Sequence, residues 1–429
     1  MTINLDSLPR KLAVIGALAL TSAALTLPIS AHYRAAAAAE PGTQAGLEQA
    51  IALQPRNAEL HNRLGRVLLY TPLADAARTQ RELELATQLN PRSGQFWLDL
   101  AMFHEGRGNL TAAGAALERA VKAEPLTPAV QWFEANYLVR RGDSARGLER
   151  LKTLLAGAPE YTVRALAFFS RVAEPSELIK TALPRRRESL DAALEFIRTE
   201  QILSAAPALW RTLQSLTEPP SESQLRLFLD WLISRQETTL AQQVWQESAR
   251  RGWLPIADAA STASFYNGNF EYPLQNFGFD WRVIPHPEAS AWVESRGPSA
   301  GMQSLCIQFS DDARSLYHHL LHAIAVEPNT AYSLKAAMRS ERLLSRAGAS
   351  ITLATAENQV VAQTAPITGS NQWTEVAANV VTDAKTTLLH LRLVRPAPPK
   401  NEDPASGLAC VADVRWTQLG KVPNGGASR

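Results

Sequence analysis

Cysteine is scarce in this sequence. Only Cys306 and Cys410 occur among 429 residues, and no Cys-x-x-Cys pair is present. Metal-finger domains need several cysteines at short spacings, so that class is excluded. An excess of charge is also missing, because the formal net charge is only +2. A general nucleic-acid binder needs a strongly basic face that displaces counterions from phosphate, and so nucleic acid is not an expected partner.

Recognisable catalytic motifs are absent as well. The sequence has no G-x-S-x-G, no P-loop, and no G-x-G-x-x-G after an expected strand. Three histidines cluster at His318, His319 and His322. In a strand, His318 and His322 would share one face and form part of a metal site, but no H-E-x-x-H accompanies them, which favours a solvated strand edge. Cys306 lies in an apolar run, a poor environment for a thiolate. We therefore expect no catalytic residues and no enzymatic activity.

An apolar stretch near the N-terminus is the first positive feature. Leu12–Ala31 carries no charge and follows the basic pair Arg10-Lys11. Twenty helical residues span about 30 Å, the thickness of a hydrocarbon core, and basic residues on the N-terminal side favour export of the rest. Residues 1–34 are therefore predicted to be a signal-anchor or a cleaved signal peptide. Either one leaves the remainder on the periplasmic side of the inner membrane, tethered by a single pass or soluble.

Proline recurs with a regular period. Four prolines are spaced by 36, 34 and 34 residues, and each ends a similar phrase: Pro55 in AIALQP, Pro91 in ATQLNP, Pro125 in AVKAEP and Pro159 in LLAGAP. The clearest copy, residues 94–125, consists of two amphipathic stretches separated by GRGN. Proline ends each second helix because it cannot donate the next hydrogen bond. Such a period predicts stacked α-hairpins.

The 94–125 copy also has a characteristic residue pattern. Its positions are Trp97, Leu100, Ala101, His104, Ala113, Leu117 and Ala120. The pattern resembles the tetratricopeptide repeat (TPR), W-x2-L-G-x2-Y…A-x3-F…P, with Ala101 in place of the glycine and Leu117 in place of the second-helix aromatic. Ala101 and Ala113 are small enough for paired helices to approach closely. We expect TPR repeats at 35–160 and degenerate TPR-like hairpins at 161–256.

The predicted stack is an α-solenoid with a groove, and grooves of this kind bind protein partners. The first hairpin would draw one of its helices from Tyr33–Ala39. Aromatic residues expected to line the groove are Trp97, Phe103, Trp132, Phe133 and Tyr137. The alternative is that these side chains pack between the helices.

Beyond residue 256 the helical spacing gives way to short alternating runs such as SLCIQF, ASITLATA and LACVADVRW. Eight to ten strands in about 150 residues predict an antiparallel jelly-roll β-sandwich at 257–420, with a disordered tail at 421–429.

Three phrases in this region resemble the galactose-binding-like, CBM4/9-type carbohydrate-binding modules. They are an opening N-G-x-F-E strand at Asn267–Glu271, V-x-P-x-T-x-Y at Val326–Tyr332, and the pair Asp413-Val414 in the last strand. The resemblance implies a structural calcium between Glu271 and Asp413, with carbonyl groups near Asn267–Asn269 completing an oxygen shell. Otherwise, Glu271 pairs with an arginine such as Arg282 or Arg415.

The same resemblance implies sugar stacking on exposed aromatic rings. The candidates are Trp281, Trp292, Tyr317 and Trp373. Each of them is alternatively a core or rim residue. Cys306 and Cys410 lie in strands that would be close in such a sandwich, and an exported compartment permits a disulfide between them. The alternative is two buried thiols.

The sequence thus predicts a multidomain α plus β chain: an N-terminal hydrophobic helix, a TPR-like α-solenoid and a jelly-roll sandwich. Its expected role is that of a non-catalytic exported scaffold, with a protein partner in the groove and glycan or protein at the sandwich. This combination looks like accessory proteins of bacterial envelope or exopolysaccharide assembly, by analogy of architecture alone. The alternatives are a glycan-active enzyme whose sandwich binds the substrate, and a purely structural assembly factor.

Overall fold

The computed structural model describes residues 8–216, 218–401 and 403–422. The chain divides into two compact units. The first contains the residues up to 174 together with 181–184, and the second contains 175–180 together with the residues from 185 onward.

The first unit is a helical solenoid. Its helices are α1 (Leu8–Ala39), α2 (Gln44–Leu53), α3 (Ala58–Tyr70), α4 (Ala76–Leu89), α5 (Gly94–Gly106), α6 (Leu110–Ala123), α7 (Pro128–Arg140), α8 (Ser144–Gly157) and α9 (Thr162–Phe169). Polar side chains cap the starts of several helices, where the first backbone N–H groups lack helical partners. The capping residues are Asn57, Asp75, Ser93, Asn109 and Asp143. The predicted repeat of paired helices is confirmed.

Small residues allow the paired helices to pack closely. Ala101 of α5 and Ala113 of α6 are fully buried, as the sequence pattern requires. A Cβ atom at Gly65 of α3 would lie 2.5 Å from Cδ2 of Leu83 on α4, so only glycine permits that approach without movement. In the first hairpin, Ala35 and Ala39 at the end of α1 pack against Leu47 and other apolar residues of α2 and α3. The end of α1 is therefore the helix predicted from Tyr33–Ala39.

The N-terminal segment is helical from Leu8, and residues 1–7 lie outside the described part of the chain. Within the described residues, no helix combines the length and the apolar character that crossing a membrane demands. The prediction of a transmembrane anchor is thus not supported. The α1 sequence is rich in alanine, which is only weakly apolar, and its basic residues Arg10 and Lys11 lie inside the helix.

The second unit begins with more helices: α10 (Pro175–Thr181), α11 (Arg187–Thr199), α12 (Ala206–Gln214), α13 (Glu222–Ser234) and α14 (Thr238–Arg251). Its strands are β1 (Trp281–Val283), β2 (Ala289–Glu294), β3 (Ser304–Phe309), β4 (Tyr317–Ala325), β5 (Thr330–Leu343), β6 (Ser350–Thr355), β7 (Val360–Gln363), β8 (Gly369–Val381), β9 (Leu388–Arg395) and β10 (Gly407–Lys421). Of the tail predicted at 421–429, Lys421 ends β10 and residues 423–429 lie outside the description.

The strands form two five-stranded antiparallel sheets. One has the order β1-β4-β9-β6-β7 and the other β2-β3-β10-β5-β8. Alternate residues point into the space between the sheets, where Leu305, Ile307, Leu334, Leu391 and Val411 belong to one apolar core. A β-sandwich is therefore present after the helices, as predicted.

The phrase predicted as the opening strand is a turn. Asn267 and Phe270 both have positive φ angles, 56° and 58°, which a strand does not allow. The Asn267 side chain holds the turn together, since its Oδ1 accepts from Tyr272 N (3.0 Å) and its Nδ2 donates to Tyr272 O (2.9 Å). The expectation of an N-G-x-F-E strand at Asn267–Glu271 is wrong, and the first strand is β1.

The last two helices of the second unit contact the segment that leads into the sandwich. The Trp245 ring on α14 lies 5.5 Å from the Tyr266 ring and 5.7 Å from the Phe277 ring. On α13, Asp230 accepts a hydrogen bond from Gly278 N (2.9 Å) and pairs with Arg282 of β1. Within the second unit, α13 and α14 are therefore joined to the residues that lead into the sandwich by apolar packing and by a charged contact.

Candidate functional site

A surface pocket of about 350 Å³ lies between α7 and the segment that contains α9. Its lining includes Trp132, Phe133, Asn136, Arg140, Arg164, Phe168 and Arg171, and we call it the aromatic–arginine pocket. The sequence spacing explains the grouping. Residues 132, 136 and 140 are four apart on α7, and residues 164 and 168 are four apart on α9, so each set lies on one helical face. Arg171 follows in the turn after α9.

Aromatic rings form one wall of the aromatic–arginine pocket. The Trp132 ring lies 5.9 Å from the Phe168 ring at an interplanar angle of 67°, an edge-to-face arrangement. Trp132, Phe133 and Phe168 are each only half-buried, so part of their apolar surface faces solvent. The Arg164 guanidinium lies 4.6 Å from the centre of the Trp132 ring, within the range of a cation–π contact.

The pocket is positively charged. Its lining contains three arginines and no acidic residue. Arg140 is neutralised by Glu105, whose two carboxylate oxygens accept from Nε and Nη2, each at 2.9 Å. Arg164 and Arg171 are exposed, and neither has an acidic partner within the described ranges. Two guanidinium groups therefore keep unused hydrogen-bond donors at the pocket rim.

Asn136 adds an unused acceptor. Its side chain is 4% exposed, and its Nδ2 donates to the backbone oxygen of Trp132 at 2.7 Å. Its Oδ1 is buried and has no hydrogen-bond partner among the described residues. Buried polar atoms are normally satisfied, and an unsatisfied acceptor beside a surface pocket suits a donor that is absent from the free protein.

The other predicted groove residues are used by the fold. Trp97 donates from Nε1 to Pro91 O at 2.9 Å, and Tyr137 donates from its hydroxyl to Leu110 O at 3.0 Å. Phe103 is buried in the inter-helix core. Of the predicted aromatics, only Trp132 and Phe133 line the aromatic–arginine pocket.

Sequence reasoning missed the polar members of this pocket, namely Asn136, Arg140, Arg164 and Arg171. The i, i+4, i+8 spacing after Trp132 was a usable signal for the first two. Arg164 and Arg171 lie just past the last clear repeat, where the sequence period fades, so nothing marked their helix as a partner of α7.

A second arrangement crosses the outer face of the sheet that contains β2. Register pairs Trp292 with Cys306, Cys306 with Cys410, and Cys410 with Arg339. The Arg339 guanidinium then lies 5.5 Å from the centre of the Trp373 ring on β8. These five residues, which we call the tryptophan row, run across all five strands. Trp292 is 40% exposed and Trp373 is half-buried, so an aromatic ring stands at each end.

Charge in the tryptophan row is compensated locally. Arg339 is 3% exposed, and it pairs with Glu294 (Nη2 to Oε1, 2.8 Å) and with Glu341. Its Nη2 also lies 3.3 Å from Cys410 Sγ. Arg296 also lies 3.9 Å from Glu341, so two cations balance the two carboxylates. Carboxylate oxygens accept hydrogen bonds from hydroxyl groups.

The structure joins Cys306 and Cys410 by a disulfide between β3 and β10, with their Cα atoms 4.0 Å apart. Glu294 completes the only cluster of three potential metal-ligating side chains found in the described chain. Both of its sulfurs are used by the disulfide, so this cluster offers no thiolate ligand.

Trp281 and Tyr317 cannot stack on a sugar, because the sandwich core covers both. Trp281 is 0% exposed, packs 5.0 Å from the Phe270 ring, and donates from Nε1 to Asn267 O at 2.9 Å. Tyr317 is equally enclosed, and burial raises its pKa to about 12. The expectation that Trp281 binds a ligand is wrong, because its ring faces between the sheets.

The residues predicted to hold calcium already have protein partners. Glu271 accepts from Asn269 Nδ2 at 3.0 Å, and Asp413 lies 3.4 Å from Arg415 Nη2. The loop and the last strand do meet, since Val414 N donates to Gly268 O at 2.8 Å. Two carboxylates and nearby carbonyls match the oxygen ligands of calcium, but the turn is held without it. The calcium site stays a prediction.

The histidines form no metal pair, and the favoured interpretation of a solvated strand edge is wrong for His322, which is 1% exposed. An irregularity between Tyr317 and Leu320 shifts the alternation of β4, so His318 and His322 do not share a face. His322 is buried, stacks 4.1 Å from the Phe265 ring, and bonds Tyr266 O at 3.0 Å. Burial lowers its pKa to about 4. His318 instead stacks on His319, with ring centroids 4.7 Å apart.

Comparison with known proteins gives slight likenesses. No family model matches the chain, and no curated protein matches it. Among solved structures, a crystal structure of MamA protein is 15% identical, with a TM-score of 0.31, over 41% of this chain and 95% of that one. Yeast Tom70 is 16% identical with a TM-score of 0.29, over 49% of this chain and 45% of its own. A structure described as "CBM4 structure and function" is 12% identical with a TM-score of 0.26, over 36% and 100%.

Proposed function

We propose that this chain is a non-catalytic docking protein whose helical solenoid binds a segment of a protein partner. The aromatic–arginine pocket carries the proposal, because three half-buried aromatic rings and an unsatisfied amide oxygen remain after the fold has met its own needs. Exposed aromatic and arginine side chains grouped on adjacent helices are typical of protein-binding hot spots.

The test is selection of binders from a displayed library of random peptides by the full chain, followed by affinity measurement. Trp132→Ala is expected to weaken the recovered peptides at least about tenfold, the loss typical of an aromatic anchor. Trp97→Ala is the matched control, since Trp97 is also a half-buried helical tryptophan beside an arginine, Arg119, but lies outside the pocket. Failure to recover any peptide, or equal effects of the two variants, contradicts the proposal.

We also propose that the sandwich contacts a glycan through the tryptophan row. Rings at Trp292 and Trp373 flank a polar centre with two carboxylates, which suits the apolar ring face and the hydroxyl groups of a neutral sugar. Polysaccharide-array binding is expected to be lost in Trp292→Ala and kept in Trp253→Ala, which removes a half-buried tryptophan that packs against Trp210 and Arg251 and not in the row. Binding that survives Trp292→Ala would leave the sandwich as a purely structural element.

The enzymatic alternative has little to support it. Asp311 and Glu341 line one sandwich pocket of about 460 Å³, as a glycan-cleaving site with two carboxyl groups would require. Glu341, however, already pairs with the buried Arg339. Its carboxylate therefore has a structural task, and the non-catalytic role is favoured.

An exported location, on the periplasmic side of a bacterial inner membrane, belongs to the same proposal, with envelope or exopolysaccharide assembly as its setting. The disulfide between Cys306 and Cys410 supports it, because such bonds persist in oxidising compartments. Because both cysteines are buried, free thiols are mass-tagged under denaturing conditions immediately after lysis of native cells, and both cysteines are expected to stay unlabelled. Complete labelling of both would contradict export.

A further inference from the structure

We infer that the aromatic–arginine pocket selects an acidic partner segment, with two carboxylate side chains about three residues apart and an apolar side chain between them. The inference rests on the proposed docking function and adds the chemistry of the partner. It follows from the placement of two arginines, one amide and three rings.

The positive charge of the pocket determines the sign of the charge on the partner. Glu105 satisfies Arg140, whereas Arg164 and Arg171 have no acidic partner among the described residues, and no acid lines the pocket. A guanidinium binds a carboxylate through two parallel hydrogen bonds, and these are stronger than neutral ones. A basic segment would meet uncompensated like charge.

The separation of Arg164 and Arg171 determines the spacing of the two carboxylates in the partner segment. Arg164 lies on α9, and Arg171 lies two residues past its end, in a turn where Ser170 N and Ala173 N still bond the carbonyl groups four residues earlier. At a helical rise of 1.5 Å per residue, seven residues separate the two backbone positions by about 10 Å. A peptide in the polyproline II conformation has three residues per turn and advances about 3.1 Å per residue, so carboxylates at positions i and i+3 share a face and lie about 9 Å apart, close to that separation. The rings of Trp132 and Phe168 lie next to this line, and they offer an apolar surface to the intervening side chain.

Asn136 favours a peptide over other anions. Its Oδ1 has no partner in the described chain and accepts hydrogen bonds, whereas phosphate oxygens have no proton to offer it. A peptide backbone carries an N–H at almost every residue. Single-stranded nucleic acid also binds arginines and aromatic rings, but the chain's net charge of +2 provides no extended basic track for it.

The experiment uses the peptides recovered from the random library and, for each, an analogue in which Asp and Glu are replaced by Asn and Gln. The full chain is compared with Arg164→Gln/Arg171→Gln and with the control Arg119→Gln, which removes an exposed arginine stacked on Trp97. We expect enrichment of acid pairs three residues apart. We also expect at least about a tenfold loss of affinity for the amide analogues and for the double variant, and no change for the control.

The outcomes separate the two claims. Recovered peptides that lack acidic residues yet lose affinity in Trp132→Ala would leave docking intact and overturn the acidic preference. No recovered peptide at all would overturn both. Tighter binding of an oligo-deoxythymidine probe than of the acidic peptides, abolished in the double variant, would replace the inference with a nucleic-acid site.

Discussion

The helical solenoid and the β-sandwich are each stabilised by internal contacts. These contacts differ greatly in the number of residues that separate the partners along the chain. In the solenoid, Gly65 meets Leu83 of the neighbouring helix, and Tyr137 bonds Leu110 of the preceding hairpin. In the sandwich, the disulfide joins residues separated by 104 positions, and β1 pairs with β4 rather than with β2. A residue's surroundings in a repeat are therefore set by its near neighbours in sequence, whereas in the sandwich they depend on strand order.

Two sandwich tryptophans provide the sharpest test of this difference. Trp281→Ala is expected to lower the free energy of unfolding of the second unit by about 3–5 kcal/mol, because a fully buried indole leaves a large cavity. Trp292→Ala, on the exposed face, is expected to cost less than about 1 kcal/mol. Urea unfolding followed by near-ultraviolet circular dichroism measures both. Similar losses for the two variants would contradict the assigned faces.

Sequence periodicity predicted the helical pairs because each pair makes its contacts with its neighbours. The burial of Ala101 and Ala113 and the helix ends near Pro91 and Pro125 followed from the 34-residue spacing. Strand order and register are not encoded locally, and so the sequence could not separate the buried Trp281 from the exposed Trp292.

The candidate pocket was predictable only in part, and for the same physical reason. Trp132 and Phe133 lie inside a clear repeat, and both were expected in a groove. Arg164 and Arg171 follow the last in-phase proline, Pro159, where no period indicates which face a residue occupies.

The wrongly predicted opening strand has a different cause. The positive φ of Asn267 depends on hydrogen bonds to Tyr272, and a short motif resemblance does not reveal them.

Removal of the disulfide tests the long-range character of the sandwich. Cys306→Ala/Cys410→Ala is expected to destabilise the second unit by about 2–5 kcal/mol, since the bond closes a long loop in the unfolded chain. Urea midpoints of the oxidised protein and the variant give the difference. The solenoid contains no cysteine, so its unfolding should not respond to reductant. A change of the solenoid transition with reductant would show that the two regions do not differ in this way.

Acid should also weaken the sandwich. Burial lowers the pKa of His322 to about 4, so the unfolded chain takes up this proton near its ordinary pKa of 6.5 while the folded chain does not. Stability is then lost as the pH falls from about 6.5 through 4, with a contribution on the order of 3 kcal/mol. His390, with its pKa lowered to about 4 mainly by burial, acts in the same direction.

Asp280 has the opposite effect on the pH dependence of the stability of the sandwich. Burial raises its pKa to about 6, so its contribution is present below its ordinary pKa of 3.8 and is lost as the pH rises through 6. Asp280→Asn is therefore expected to steepen the loss of stability between pH 6 and pH 4. Unfolding free energies measured across this range, with a nuclear magnetic resonance titration of His322, check both signs. A flat profile, or a His322 pKa near 6.5, would contradict the buried, neutral imidazole.

A smaller loss of stability is expected from a core substitution in the solenoid, where each repeat is stabilised by its neighbours. Ala101→Leu adds a branched side chain at a fully buried contact between α5 and α6, and overpacking of this kind costs about 1–3 kcal/mol. Ala115→Leu is the matched control, because Ala115 lies on the exposed face of α6 and leucine is nearly as good a helix former as alanine. Thermal unfolding followed at 222 nm should show a lower midpoint only for the first variant.

Hydrogen exchange gives a second measurement of the same variant. Because repeat stability is a sum of local terms, faster exchange should be confined to α5, α6 and their adjacent helices. Exchange that rises equally throughout the first unit would mean that the solenoid folds with the same long-range cooperativity as the sandwich.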